Sequence, residues 1–187
     1  MICVRKKIYF AGGCFWGVEK FFSLLPGVTA TEVGYANGTT DHPTYQQVCR
    51  ENTGHAETVA IEYDPDIISL PFLLECFYRA VDPLSVNRQG EDVGTQYRTG
   101  VYYADDETVG RRADTPIAQQ SDDRSVILES IQRLEHSLGL PVAIEVAPLA
   151  HFYSAEAYHQ KYLVKNPGGY CHIRPELFEW AKAAKEK

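Results

Sequence analysis

Hydrophobic and polar positions along the chain follow two different periods. Alternating or short apolar runs bounded by turn residues predict five strands, at residues 6–11, 28–36, 56–63, 97–104 and 142–149. Apolar residues at helical spacing predict helices over residues 14–24 and 69–81, the second with Ser69 as its N-cap and a proline in its first turn. The first four strands and the two helices therefore come in the order βαββαβ.

That order is typical of a split βαβ unit, so we predict an α+β fold with a ferredoxin-like core. Two long irregular segments interrupt it, at residues 37–55 and 82–96, and the first is long enough to suggest a functional role. A polar helical region follows over residues 105–138, with a break expected near Pro116. The strand at residues 142–149 is then an addition to the core.

We find no internal repeat, low-complexity tract or linker. A single catalytic domain over residues 1–187 is therefore expected, of a size that can bury a proper core. The last part of the chain, from about residue 165, contains Gly168 and Gly169, and we expect it to form a mobile tail segment.

The charge balance excludes some classes of partner. With 18 basic and 25 acidic residues, the net charge of -7 argues against nucleic acids and anionic membrane surfaces, which select basic patches. No apolar run approaches the roughly 20 residues that a bilayer span needs. The first ten residues, MICVRKKIYF, lack the pattern of a signal peptide. We therefore expect a cytoplasmic protein.

The five cysteines are Cys3, Cys14, Cys49, Cys76 and Cys171, an odd number without CxxC spacing. A structural zinc site needs paired ligands, so no metal is expected. In a reducing compartment the default for a cysteine is a small buried hydrophobe, and we assign that default to Cys3, Cys49 and Cys76. Cys14 and Cys171 stand in segments that suggest chemistry.

Cys14 lies in the stretch AGGCFWGVEK, between a predicted strand and a predicted helix. Gly12 and Gly13 permit a sharp turn there, and the free N–H groups and positive dipole end of the helix favour a thiolate. The alternative is a packed core thiol, with Phe15 and Trp16 as core aromatics. The turn alone leaves both interpretations open.

Polar residues that could serve a reactive thiol gather in the irregular segments. The sequence TGHAE places His55 and Glu57 at the start of a strand, PTYQQ contributes Tyr45, and GEDVGTQYR contributes Asp92 and Tyr97. An acid and two phenols could protonate and hold a leaving oxygen. Taken singly, each residue has an ordinary explanation as a solvated charge, a turn residue or a local hydrogen-bond donor. His55 is expected to be structural.

Five motifs in order, GGCFWGVEKFFSLLPGV, GHAE, GTQYR, YHQKYL and NPGGYC, resemble the type A methionine sulfoxide reductases, or peptide-methionine (S)-S-oxide reductases. The resemblance runs from about Tyr9 to Arg174. It implies a ferredoxin-like α+β fold with added elements. It also implies reduction of the S epimer of methionine sulfoxide, free or in proteins, with thiols and without a metal or organic cofactor.

The resemblance assigns roles by position. Cys14 is the implied nucleophile and Glu57 the implied acid. Tyr45 and Tyr97 are implied to bind the sulfoxide oxygen, while Asp92 helps to order the polar side of the site. For Glu57 to be protonated near neutral pH its pKa must be raised, and burial beside aromatic rings would raise it.

On the apolar side, the resemblance implies that Phe15 and Trp16 line a pocket for the substrate methyl group. It places the resolving cysteine at Cys171, which forms a disulfide with Cys14 that thioredoxin or another dithiol reduces. Many members of the family have a further cysteine beyond this one, and the C-terminal sequence HIRPELFEWAKAAKEK has none. A cycle with two cysteines is therefore expected, in a monomer.

Three other functions use a reactive thiol. A cysteine hydrolase or acyltransferase could pair Cys14 with His55, but would have no use for a second thiol on a glycine hinge. A thiol peroxidase needs a resolving cysteine but gains little from an aromatic methyl pocket. A non-enzymatic redox sensor needs no acid at Glu57.

Overall fold

Residues 5–104 and 120–186 are described by the computed structural model. Their strands are β1 (Lys6–Gly12), β2 (Val28–Ala36), β3 (Ala56–Tyr63), β4 (Arg88–Gln89), β5 (Asp92–Val93), β6 (Thr99–Tyr103), β7 (Glu145–Pro148) and β8 (Phe152–Ser154). Their helices are α1 (Phe15–Ser23), α2 (Tyr45–Arg50), α3 (Leu70–Ala80), α4 (Gln120–Leu138), α5 (Tyr162–Lys165) and α6 (Pro175–Ala183), with a 3₁₀ turn at Thr95–Tyr97. None of these helices is both long and apolar enough to cross a membrane.

Six strands form one sheet in the order β7-β6-β1-β3-β2-β8. The neighbours from β6 to β8 all pair antiparallel, and β7 joins β6 in parallel. Strands β4 and β5 form a separate two-stranded ribbon. The protein therefore has a mixed α+β fold, in which a largely antiparallel sheet is combined with helices.

One face of the sheet carries most of the core. Along β1, Ile8 and Phe10 belong to the large apolar cluster that includes α1 and α3, whereas Ala11 belongs to a smaller cluster on the other face. The ring of Phe10 stacks on Phe22 of α1 and on Phe77 of α3, at centroid distances of 4.7 Å each. Burial of each such ring stabilises the fold by about 1.5–3 kcal/mol. The packing fixes where α1 begins relative to the strand ends.

Helix α1 starts directly after the glycine turn that the sequence indicated. Gly13 has a φ of +82°, which side chains rarely adopt, and a Cβ at this position would lie 2.5 Å from Cβ of Gln89. Helix α3 is capped as expected, because the Ser69 hydroxyl accepts a hydrogen bond from the Phe72 N–H at 3.3 Å. The glycine turn therefore places Cys14 at the N-terminus of α1.

Three predictions of secondary structure were wrong in detail. The segment at residues 37–55 contains helix α2, which begins at a capping box in which Thr44 and Gln47 bond each other's backbone N–H groups. The predicted strand at 97–104 begins only at Thr99, because a 3₁₀ turn occupies the residues before it. The predicted strand at 142–149 is limited to four residues.

The polar region predicted to be helical over 105–138 is described only from residue 120 onward, where α4 confirms it. The break expected near Pro116 lies outside the described residues. Farther along, the tail is anchored at its end: Phe178 and Ala181 of α6 are buried in the main core, and the Trp180 ring stacks on Phe21 at 6.3 Å. The part of the tail without helix is therefore residues 166–174.

Candidate active site

Cys14 is the N-cap residue of α1 and is 8% exposed. Burial raises the pKa of its thiol, and a negative charge on Glu57 raises it further, while the backbone N–H of Trp16 acts in the opposite direction. Desolvation outweighs the helix N-terminus here. Burial therefore opposes the thiolate that the helix N-terminus was expected to favour.

Glu57 is the second residue of β3 and is 1% exposed. Its Oε2 accepts a hydrogen bond of 3.0 Å from the backbone N–H of Phe15, the first residue of α1. Burial raises the pKa of Glu57 to about 8, although the Phe15 hydrogen bond opposes this, and the nearby Asp92 contributes in the same direction as burial. This agrees with the expectation of a raised pKa. The carboxyl group therefore favours its protonated form near neutral pH.

Tyr45 and Tyr97 approach Glu57 from two different segments. Tyr45 is the first residue of α2, and Tyr97 ends the 3₁₀ turn before β6. Burial raises the pKa of both phenols, and the charge of Glu57 adds to the effect on each. Both hydroxyls therefore stay protonated and can donate hydrogen bonds near the carboxyl group.

Asp92 lies in the short strand β5, on the same side of the site. Its Oδ2 accepts a hydrogen bond of 2.9 Å from the hydroxyl of Tyr170, a residue that the sequence analysis did not single out. Its charge helps to raise the pKa of both Glu57 and Cys14. Asp92 therefore joins the tail to the polar side of the site and disfavours a second negative charge there.

The two aromatic residues after Cys14 are placed differently. Phe15 is 1% exposed and packs in the main core next to the site. Trp16 is partly exposed, stacks on Tyr162 at a centroid distance of 3.7 Å with 13° between the planes, and donates from Nε1 to Nδ1 of His159 at 2.9 Å. Part of the Trp16 ring is therefore accessible at the surface.

Cys171 lies in the tail and packs against the first turn of α1. A Cβ added to Gly17 would come within 2.8 Å of its Sγ, which donates a weak hydrogen bond to the Ile173 carbonyl at 3.5 Å. A charge on Cys171 would raise the pKa of Cys14, so the two sulfurs lie within electrostatic reach of each other. Both are free thiols in the structure.

Comparison with known proteins identifies the family. The model of a family described as peptide methionine sulfoxide reductase matches residues 6–187. The chain belongs to this family. A protein of Lachnoclostridium phytofermentans named peptide methionine sulfoxide reductase MsrA is 53% identical over 97% of this chain and 100% of its own. One of the same name from Clostridium acetobutylicum is 51% identical over 93% and 98% of the two chains.

Solved structures agree with this membership. The crystal structure of Mxr1 from Saccharomyces cerevisiae in reduced form superposes with a TM-score of 0.79 and 33% identity, covering 93% of each chain. Methionine sulfoxide reductase A of Corynebacterium diphtheriae superposes with a TM-score of 0.74 and 38% identity, covering 89% of this chain and 77% of that one.

His55, which the sequence analysis left as structural, is 1% exposed and holds the loop after β2. Its Nδ1 accepts from the Gly38 N–H at 3.1 Å, and its Nε2 donates to the Thr40 carbonyl at 2.8 Å. Both ring nitrogens are therefore engaged by backbone. The structural interpretation is confirmed, and His55 is not placed to act as a base for Cys14.

The default of a small buried hydrophobe holds for one of the three cysteines to which it was assigned. Cys76 is fully buried in α3, as expected. Cys49 is only half-buried, and its sulfur lies beside the Tyr45 hydroxyl, so a purely structural role in the core was wrong for it. Cys49 lies one turn after Tyr45 in α2, so the two side chains share a face of the helix. Cys3 lies outside the described residues.

Residues that sequence reasoning missed come mainly from one segment. Glu156, His159 and Tyr162 contact Tyr45 or Trp16, and the motif YHQKYL marked their segment without indicating which side chains point inward. A loop lacks the periodicity that would identify its inward side. Among residues 5–104 and 120–186, no cluster of His, Cys, Asp and Glu is arranged to hold a metal ion.

Proposed function

We propose that this protein reduces methionine sulfoxide with Cys14 as the nucleophile and Glu57 as the acid. The observation that carries the proposal is the buried carboxyl of Glu57, whose pKa is raised to about 8 and which is hydrogen-bonded to the first N–H of the helix that Cys14 caps. A carboxyl group that keeps its proton up to alkaline pH suits a reaction in which the sulfoxide oxygen must be protonated before its bond to sulfur breaks.

The two sides of the site match the two ends of a methyl sulfoxide. The strongly polar oxygen fits Tyr45, Tyr97 and protonated Glu57, which are hydrogen-bond donors. The methyl group and sulfur fit the exposed part of Trp16, because both pack well on aromatic rings. With donors on one side and an apolar wall on the other, the site favours one handedness at sulfur, which we propose to be the S epimer.

In the first step, Sγ of Cys14 attacks the sulfoxide sulfur while Glu57 donates its proton to the oxygen. The hydroxyl group that results then passes to Sγ, as the S–O bond of the sulfoxide and the new bond between the two sulfurs both break. Methionine is thereby reduced by two electrons, and Cys14 is oxidised to a sulfenic acid. The proton of the Cys14 thiol replaces the one that Glu57 gave. While Glu57 is protonated it carries no charge to oppose ionisation of Cys14.

In the second step, the thiol of Cys171 attacks the sulfenic acid, so that a Cys14–Cys171 disulfide forms and water leaves. The two thiols are close enough to couple electrostatically, and the non-helical part of the tail, residues 166–174, is the part that we propose moves. A dithiol protein of the thioredoxin type then exchanges with the disulfide. Mxr1 has been solved in complex with Trx2, which supports this choice of reductant.

The fold class and the range of substrates belong to the same proposal. The central strand order β6-β1-β3-β2, all antiparallel, supports a ferredoxin-like core for this single catalytic domain. Both free and protein-bound methionine sulfoxide are proposed as substrates, since the Trp16 wall lies at the surface. We also propose that the protein uses thiols alone, without a metal or organic cofactor, and that it is a cytoplasmic monomer.

The test is a panel of a methyl sulfoxide, a peroxide and a thioester, each incubated with the protein and a dithiol reductant. We expect turnover of the sulfoxide alone, with one molecule of methionine per dithiol oxidised. Preferred turnover of the peroxide would instead support a thiol peroxidase, and cleavage of the thioester a hydrolase. A redox sensor would turn over none of the three. Family membership favours none of these alternatives.

A further inference from the structure

Two side chains of the tail fill the space beside Gly17 of α1. A Cβ added to Gly17 would lie 2.8 Å from Sγ of Cys171 and 3.4 Å from Cγ1 of Ile173, so both side chains lie directly on the helix backbone. The sulfur of Cys171 is therefore in contact with one face of α1. The groups that α1 presents on that face form part of the surroundings of the thiol.

Lys20 lies on the same face of α1, about one turn after Gly17. Residues three apart are neighbours on a helix surface, and helical side chains lean towards the N-terminus, so the stem of Lys20 leads back towards Gly17. The Nζ of Lys20 lies 4.8 Å from the ring centroid of Phe178, a buried residue of α6. A cation over an aromatic face is attracted to the ring. The packing of α1 and α6 therefore holds a positive charge on the face of α1 that Cys171 contacts.

The charge of Lys20 acts on the thiol of Cys171. Within the part of the chain that the structure describes, the Lys20 ammonium forms no ion pair with a carboxylate. Burial raises the pKa of Cys171, whereas the Ile173 backbone and the charge of Lys20 lower it, and the charge of Asp92 raises it. Of the two charged side chains that act on Cys171, Lys20 thus favours the thiolate and Asp92 opposes it.

The two thiols of the proposed cycle face charges of opposite sign. Cys14 faces the negative charges of Glu57 and Asp92, which both oppose its ionisation. Cys171 has the positive charge of Lys20 on its other side. When a disulfide forms from a sulfenic acid, the attacking sulfur is a thiolate, and the sulfur that it attacks carries the hydroxyl group. This distribution of charge suits Cys171 as the attacking sulfur and Cys14 as the sulfur attacked.

We propose that Lys20 is a positioning residue for the recycling step, whose ammonium places a positive charge beside Cys171 and favours the thiolate that attacks Cys14. This rests on the proposed function, in which Cys171 resolves the sulfenic acid. In that step the thiol of Cys171 gives up its proton, the S–S bond forms and the S–O bond on Cys14 breaks. The hydroxyl group takes up the proton and leaves as water, and the sulfenic acid is the oxidant. The alternative is that Lys20 only holds α6 in place through Phe178.

Lys20→Met keeps an unbranched stem that can still pack on Phe178 and removes the charge. At neutral pH we expect single-turnover disulfide formation to slow about threefold, because the loss of thiolate is partly offset by the greater nucleophilicity of a more basic sulfur. The rate of methionine release should not change. Lys20→Arg keeps both the charge and the contact with the ring, and should stay within about twofold of the wild type. Lys182→Met is the matched control, since Glu179 already neutralises that lysine at 2.6 Å.

The pH dependence separates an effect of charge from an effect of packing. The rate of disulfide formation follows the thiolate fraction of Cys171 until that fraction approaches one. The deficit of Lys20→Met should therefore be largest at neutral pH and should shrink as the pH rises to about 10, where more of the thiol is ionised in both proteins. A deficit that is equal at every pH, or an equal deficit in Lys20→Arg, would show that Lys20 acts only through packing.

Alkylation tests the effect of Lys20 without a sulfoxide. In a Cys14→Ser background, the reaction of Cys171 with iodoacetamide is measured by peptide mapping between about pH 6 and 10. Lys20→Met should move the midpoint of this reaction to higher pH, and Lys20→Arg should not. If the wild type failed to reduce sulfoxides, the proposed function would be wrong, while the midpoint would still decide whether Lys20 acts on Cys171. An unchanged midpoint in Lys20→Met would overturn the inference even in an active enzyme.

Discussion

Replacing Glu57 with glutamine removes the proton that the reaction uses and keeps the size and hydrogen-bonding shape of the side chain. Because the pKa of Glu57 is raised from 4.5 to about 8, ionising it in the folded protein costs about 5 kcal/mol. Glutamine cannot ionise and so avoids that cost. It can still accept from the Phe15 N–H, so the start of α1 should be undisturbed.

Stability should therefore respond to pH differently in the two proteins. The unfolded wild type releases the Glu57 proton near pH 4.5, whereas the folded one holds it to about pH 8. The stability that protonated Glu57 provides is fully present below pH 4.5 and is lost as the pH rises through 8. Between pH 5.5 and 8.5, urea unfolding should show the wild type losing about 3 kcal/mol relative to Glu57→Gln.

The chemical step should change in the opposite sense. In single-turnover experiments, Glu57→Gln should bind the sulfoxide but react roughly 100-fold more slowly or worse, a loss of about 2.7 kcal/mol of transition-state stabilisation. The wild-type rate should fall above about pH 8, and the variant should lack that alkaline limb. Glu62→Gln, on the same strand but paired with Arg5 at the surface, is the matched control. An unchanged single-turnover rate in Glu57→Gln would refute the assignment of the acid.

Four further outcomes are expected. Cys14→Ser should abolish sulfoxide reduction, while Cys76→Ser should keep it, as measured by methionine release. Trp16→Ala should raise KM for every methyl sulfoxide, and the wild type should turn over one enantiomer of an enantiopure pair; equal turnover of both would contradict the two-sided site. Cys171→Ser should reduce one equivalent and stop with Cys14 as a sulfenic acid that dimedone traps, and thioredoxin should no longer support turnover. Gly17→Ala should slow disulfide formation several-fold without slowing methionine release, since its Cβ would lie 2.8 Å from Sγ of Cys171. A rate of disulfide formation equal to that of the wild type would show that this contact is unimportant.

The sequence predicted the helices and strands whose apolar residues are regularly spaced. The period-two and helical patterns located β1, α1, β2, β3 and α3, because each buries one face against the same core. Helix α2 was missed since it has only six residues and one of them, Val48, is buried, so its period is too weak to detect. Its capping box was present as Thr44 and Gln47 and could have revealed it.

At the site, residue types and motifs indicated which side chains to consider, but burial decided their protonation states. Glu57 was expected to have a raised pKa, and its location near the start of the central strand β3, beside the first N–H of α1, provides the burial that raises it. The same burial neutralises Cys14, which local helix chemistry alone would have ionised. Desolvation is a property of the whole packed neighbourhood, so a single turn of sequence does not reveal it. His159, which accepts a hydrogen bond from Trp16, is 143 residues away along the chain, so this contact follows from tertiary packing.

The neutral thiol of Cys14 has a consequence for survival of the enzyme under oxidative stress. Peroxides and alkylating agents react with thiolates far faster than with thiols, so a permanently ionised nucleophile would be consumed by the same oxidants that damage methionine. Burial and the negative charge of Asp92 favour the neutral thiol of Cys14. In the proposed function, the reactivity of Cys14 then depends on a bound sulfoxide that accepts the proton of Glu57. The enzyme is protected from its surroundings by the arrangement that makes it selective for its substrate.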